Sequence, residues 1–268
     1  MKNKFFYIIC FALSFFTSQS LNSNEIFNFN VTEIEITEEG NLFKGRNGGE
    51  AYTNDGISIK AKNFEYNKSL LYLKATDEVE YKDEKKNIII KADQISYFKN
   101  EEKIFAKGNV LVLEKDKNLE IKADDVSVFK VDETITANGN VYYRDKINEI
   151  EIKTDKITYL QKIDKIFTKG KTYAEIQSKY KFNSNDVHFL KRDMKLSSSK
   201  KTTILDKKNS LYELDSFNYE INNEFLKGKN VKIIENSKVP IKETNTYFFE
   251  SGFFDLKNKI FNTGETKI

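Results

Sequence analysis

The feature that most restricts this chain is a repeat of 31 residues. Three copies follow one another without a gap: Ile88-Ile89-Ile90-Lys91-Ala92-Asp93, then Leu119-Glu120-Ile121-Lys122-Ala123-Asp124, then Ile150-Glu151-Ile152-Lys153-Thr154-Asp155. Beyond each Asp the same offsets carry Ile95, Val126 and Ile157, then Tyr97, Val128 and Tyr159. A second run opens at Ile104, Ile135 and Ile166 and ends at Gly108, Gly139 and Gly170. The register reaches back through Ala61, Phe64, Tyr66, Leu73 and Val79, with Asp77 in the glycine's place, to a degenerate copy at Ile34, Phe43 and Gly45. Forward, the interval slips to 30 between Val187, Phe189, Leu196 and Phe217, Tyr219, Leu226, with Gly228 as the turn; Phe253, Ile260 and Gly264 mark a last copy. A unit of this length cannot bury an apolar face alone, so about seven copies are expected to stack into one array.

Within a copy the apolar residues alternate with Lys, Asp, Glu and Thr, as in Ile121, Ala123, then Val126, Val128, then Ile135, Ala137. Period-two alternation means strands with one apolar and one wet face, and no segment offers the three-and-four spacing of a helix. The fold class is therefore all-β. One Pro, no Trp and many Ile, Val, Tyr and Phe agree with long strands. Breaks such as Lys107-Gly108-Asn109 and Asn138-Gly139-Asn140 are expected to be bends that need a positive φ.

The first residues resemble an export leader: Lys2 and Lys4, an apolar stretch over residues 5–16, and Ser18-Gln19-Ser20 as a cleavage pattern. We expect residues 1–23 to be a signal peptide and 24–268 to be the repeat domain; an uncleaved anchor is the competing reading. Cys10, the only cysteine, lies inside the apolar stretch and is followed by Phe11, unlike a lipidation site. The mature chain would then hold no thiol, which excludes disulfides, thiol catalysis and thiolate metal sites. Net charge is +3, two units of it from the leader, and the signs alternate along every segment, which argues against nucleic acid as a partner.

Ile90, Ala92, Asp93, Ile95, Tyr97, Ala106, Gly108 and Val110, and again Ile121, Ala123, Asp124, Val126, Ala137, Gly139 and Val141, form a pattern that resembles the OstA-like family of lipopolysaccharide-transport proteins. That family includes LptA-type periplasmic bridges and the N-terminal periplasmic domain of LptD-type translocons. The resemblance extends over about residues 25–268. It implies an elongated, open antiparallel β-jellyroll, a β-taco solenoid, whose inner face holds the acyl chains of lipopolysaccharide or a similar lipid. On that reading the groove is lined by Ile90, Ile95, Tyr97, Ile104, Ala106, Val110, Ile121, Val126, Val128, Ile135, Val141, Ile152, Ile157, Tyr159 and Ile166. Small inward residues, among them Ala92, Ala123, Thr154 and Thr168, are expected to leave it incompletely filled by protein. The resemblance implies a periplasmic protein at or near the outer membrane. Its partners would be an outer-membrane translocon and other β-jellyroll proteins stacked end to end through edge strands. A long bridge and a truncated or split translocon fit equally.

No catalytic constellation or cofactor is read from the sequence. His188 is the single histidine. Asp93, Asp124 and Asp155 stand beside Lys91, Lys122 and Lys153 and are expected to be salt-bridged strand ends rather than a calcium ladder. Gly48-Gly49 lacks the Lys-Ser/Thr of a phosphate loop. The basic run 195–208 is expected to be a mobile strand or loop. The rival readings are a secreted structural β-solenoid, such as an adhesin stalk without lipid cargo, and a polysaccharide-cleaving β-helix, which would need converging carboxylates.

Overall fold

A computed structural model describes residues 27–236, 245–263, 266 and 267. The expected leader and the Gly264 turn lie outside them. The described residues form one continuous antiparallel sheet. Its strands are β1 (Asn28–Thr37), β2 (Leu42–Tyr52), β3 (Ile57–Ala61), β4 (Asn63–Asn67), β5 (Tyr72–Asp83), β6 (Ile88–Phe98), β7 (Lys103–Glu114), β8 (Leu119–Phe129), β9 (Thr134–Asp145), β10 (Ile150–Leu160) and β11 (Lys165–Ile176). They continue as β12 (Tyr180–Asn185), β13 (His188–Leu190), β14 (Lys195–Ser198), β15 (Thr202–Asp206), β16 (Leu211–Leu214), β17 (Ser216–Glu220), β18 (Phe225–Ile234), β19 (Thr246–Asp255), β20 (Ile260–Thr263) and β21 (Thr266–Lys267). The basic run 195–208 is thus β14 and β15, not a loop.

Each long strand is folded across its middle. Residues 103–107 of β7 pair with 94–98 of β6, residues 111–114 pair with 88–91, and the register shifts between the two blocks. Repeated from strand to strand, the fold divides the sheet into two leaves joined at a crease. The first leaf holds segments such as 94–98 and 103–107; the second holds 88–91 and 110–114. Gly108 and Asn109 occupy the crease with φ of 77° and 48°. A Cβ on Gly108 would run into the Asp93 carboxylate. Gly108, Gly139 and Gly170 are therefore bends within single strands, as expected of the breaks, and not the chain reversals that end a run. Those reversals lie at residues 99–102 and 115–118. In the earlier copy Asp77 and Glu78 take the same left-handed conformation with side chains. In the first copy Gly48, with φ of 89°, sits at the crease, while Gly45 pairs inside a leaf with Ile34 and Phe64.

The expectation of salt-bridged strand ends for the repeated aspartates is corrected. Asp93 and Asp124 lie at the crease, where each accepts a hydrogen bond of 2.9 Å from the side-chain amide of Asn109 or Asn140. Lys91 and Lys122 instead pair along the outer face with Glu80 and Glu120, each at 3.0 Å. Residues 16 apart meet because the crease brings the middle of one strand beside the middle of the next.

The two inner faces enclose the core as a wedge. Small residues stand at the crease: Ala92, Ala106, Ala123 and Ala137. Ile and Val fill the middle, and Tyr81, Tyr97, Tyr143 and Tyr159 lie toward the mouth. The hydroxyls of Thr168 and Thr172, on opposite leaves, are 2.7 Å apart across the crease. Side-chain size thus follows the taper, and small residues there fill a narrow space rather than leave an empty one. Removing each large side chain from water contributes about 1.5–3 kcal/mol. Sixteen successive strand layers at about 4.8 Å each give the wedge a length of roughly 70 Å.

Candidate functional site

All fifteen residues expected to line a groove face the interior of the wedge, and every one of them is buried. Ile90, Ile95, Ile121, Ile135, Ile152, Ile157 and Ile166 are fully enclosed, as are Tyr97 and Tyr159. Ile104, Val110, Val126 and Val141 are 1% exposed, Ala106 3% and Val128 4%. They form one contiguous apolar cluster. In this structure protein side chains fill the space between the leaves, so the incompletely filled groove anticipated from small inward residues is not what the chain forms.

What closes the mouth was not read from the sequence. Turns of the first leaf face turns of the second, and a ladder of lysine–carboxylate pairs joins them. Lys99 meets Asp55 at 3.0 Å, Lys130 meets Asp83 at 3.0 Å, and Lys117 meets Asp164 at 3.6 Å. Lys191 meets Asp145 at 3.0 Å and Lys259 meets Asp206 at 2.8 Å. Lys179 pairs with Glu224 in the same way. Partners stand about one and a half repeats apart in sequence, so each pair ties one layer to another beyond its neighbour. Among the described residues, backbone hydrogen bonds outside the strands, such as Lys99 N–H to Leu71 and Lys130 N–H to Glu102, link successive turns of one lip. Side chains make the connection from lip to lip.

Tyrosines brace the ladder from below. The hydroxyl of Tyr97 donates to Glu102 at 3.0 Å, Tyr159 to Asp164 at 2.8 Å and Tyr180 to Glu224 at 2.8 Å. Burial pushes the ionisation of Tyr97, Tyr159 and Tyr180 far above the usual phenol range, and the neighbouring carboxylates push it further. These hydroxyls therefore stay protonated as donors. The lysines also lie over aromatic faces: Lys117 is 5.4 Å from the Tyr159 ring centroid and Lys259 is 5.7 Å from that of Tyr212.

Four acids of the mouth are held below their ordinary values. Burial works to raise Glu102, Asp206 and Glu224. Lys99 and Lys130 on Glu102, Lys259 on Asp206, and Lys179 on Glu224 outweigh it and bring each below its ordinary value. Asp55 is held at about 2, first by the Thr53 hydroxyl and then by Lys99.

The tyrosine brace is interrupted at Val128, which stands where the neighbouring copies carry Tyr97 and Tyr159. A cavity of about 10 Å³ lies there, bounded by Val128, Ile104, Ile90, Asp83 and Lys130. That is room for about one water. The Tyr143 hydroxyl and one oxygen of Glu114 are buried without a hydrogen-bond partner among the described residues. Asp83, Glu114 and Asp145 recur every 31 residues in the inward phase of the strands. That recurrence of acid where apolar residues belong is the signal of the mouth in the sequence.

His188 lies exposed on the outer face, edge-on to Phe167 with ring centroids 4.9 Å apart. No carboxylate hydrogen bond orients it among the described residues.

No protein-family model matches the chain, and no curated protein matches it either. Among solved structures, LptH of Pseudomonas aeruginosa, described as the LptA homologous periplasmic component of the conserved lipopolysaccharide transport device, is similar to it at 12% identity. The alignment covers 61% of this chain and 96% of LptH, with a TM-score of 0.26. The all-β architecture stands on the strand registers given above, in a chain whose long antiparallel sheet folds over one apolar interior.

Proposed function

We propose that the chain is a non-enzymatic lipid-holding bridge of the periplasm, at or near the outer membrane, that shelters the acyl chains of lipopolysaccharide or a similar lipid between its two leaves. The observation that carries this reading is the construction of the mouth. A continuous apolar interior, roughly 70 Å long, is joined by backbone along its crease and held shut along its other side by side chains. Acyl chains entering from the mouth would replace contacts among Tyr97, Val128, Tyr159 and their neighbours at about 25 cal/mol per Å² of apolar surface kept from water. The OstA-like pattern in the sequence supports the same reading, with residues 24–268 as one repeat domain behind a removable leader.

The ends supply the coupling. Among the described strands, β1 pairs with β2 alone, and β20 and β21 pair with β19 alone. Such edges accept a strand from another chain, and stacking there would align one wedge with the next in a second jellyroll protein or a translocon. A structural stalk without cargo is the second reading, favoured by the sealed interior, since a stalk needs only a filled core.

Photocrosslinking separates the two. A photoreactive residue placed at Val128 or Tyr159, in protein expressed in the periplasm, is expected to yield lipopolysaccharide adducts, and one at outward Lys122 is not. No adduct at any site in folded protein would leave the stalk.

A further inference from the structure

A second concavity lies outside the wedge, on the outer face of the second leaf from β9 to β19, with a volume of about 1380 Å³. Its wall is one outward cross-strand row. Tyr142 pairs with Lys153, Lys153 with Tyr173 and Tyr173 with Asn183. The row continues across the leaf to Lys232, which pairs with Phe248. The sheet's twist curls this row into a trough in place of a flat face.

Three properties of the trough bear on what it would hold. First, three of its four lysines are free of acids: among the described residues, Lys153, Lys171 and Lys201 have no carboxylate within ion-pair distance, and Lys153 lies 5.8 Å from the Tyr142 ring centroid. Three of its four acids are already engaged, Glu151 with Arg144 at 3.3 Å, Glu213 with Lys232 at 3.1 Å and Asp215 with the Asn230 amide at 2.7 Å. Second, ring surface is available, since Tyr173 is half-buried and Phe248 is 47% exposed. Third, amides stand along it, since the side chains of Asn183 and Asn185 are exposed among its lining residues.

From these we infer that the trough is a binding site for an acidic oligosaccharide. Aromatic rings receive the C–H faces of sugar rings, amides pair with sugar hydroxyls, and free lysines take carboxylate or phosphate substituents. A volume above the usual range for small ligands, roughly 300–1,000 Å³, suits several sugars in a row. Lys201 belongs to the basic run 195–208, whose role the wedge leaves unexplained. The site is separate from the wedge and does not depend on lipid entering it.

The probe is hexagalacturonate, titrated against the full chain at low and moderate salt, with maltohexaose and inorganic phosphate as controls. Hexagalacturonate is expected to bind at least tenfold more tightly than either control. The triple variant K153E/K171E/K201E, all outward positions, should weaken it at least tenfold with an unchanged melting temperature. Y173A should weaken it about threefold, and the Val128 crosslink should not change. Equal affinity for inorganic phosphate would reduce the trough to an anion patch and overturn the assignment. So would no binding of hexagalacturonate, or full binding by the folded triple variant.

Discussion

The stretch from β5 to β9 and the stretch from β12 to β17 solve one geometric problem in two ways. In the first, each strand runs unbroken through the crease, β5, β7 and β9 on left-handed pairs such as Gly108-Asn109 or Gly139-Asn140, and the crease is packed with Ala and Val. In the second, the strands are interrupted there, at residues 186–187 and 199–201 and at Asp215, and hydroxyls replace the alanines and valines: Ser184, Ser198, Thr202. The first stretch is also where the sequence repeat is strict. A bulge that keeps one strand continuous demands a fixed count of residues, whereas a broken strand tolerates the slip from 31 to 30.

The comparison is tested most strongly at the mouth, where the two stretches meet. Asp145 is wholly enclosed and its partner Lys191 is 13% exposed, whereas Glu224 is 11% exposed and its partner Lys179 42%. Asp145→Ala would leave a buried ammonium alone and strand the N–H groups of Ile147 and Asn148. A loss of about 3–5 kcal/mol in urea unfolding is expected. Glu224→Ala should lose clearly less, because water reaches Lys179. Equal losses would mean that the ladder is uniform along the mouth.

Acid should act on both stretches together. Asp55, Glu102, Asp206 and Glu224 all have folded-state values below their ordinary ones. Their contribution is fully present above the unfolded-state values, about 4–4.5, and is lost as pH falls through the lower folded-state values. The melting temperature is expected to be flat from pH 8 to pH 6 and to drop below about pH 4. A drop between pH 7 and pH 6 would exclude these pairs as its cause.

The smallest effect is expected at the hydroxyl crease. Replacing Thr154 and Thr172 together by Val removes both partners of one buried hydrogen bond, at positions where earlier copies carry apolar residues, and leaves Thr168 its bonds to the Val187 backbone, so stability should change by less than about 1 kcal/mol. A large loss would show that the hydroxyls hold the leaves together there.

Strand content and inward phase were legible in the sequence because alternation acts locally: Ile121, Ala123, Val126 and Val128 declare their face without knowledge of their partners. The crease was half legible. Gly108 and Asn109 announced a positive φ, but nothing local distinguishes a bend inside a strand from a reversal between two. The mouth was hidden for a different reason. Lys130 and Asp83 meet only because leaves one and a half repeats apart close on each other, a fact of stacking and not of spacing. The trough depends on accumulated twist, which no single repeat encodes.

The crease gives each leaf the mechanics of a lever. Five residues at about 3.3 Å each make an arm of roughly 16 Å from fulcrum to lip, so a rotation of about 17° at the crease separates the lips by about one strand spacing, ~4.8 Å. Motion that small leaves the ladders within each leaf intact and concentrates the change at a few dihedrals, many of them in Gly-Asn pairs. Opening at one layer would strain the layers tied to it across the mouth, so the lips would part as a travelling gap, beginning where Val128 leaves the brace thinnest.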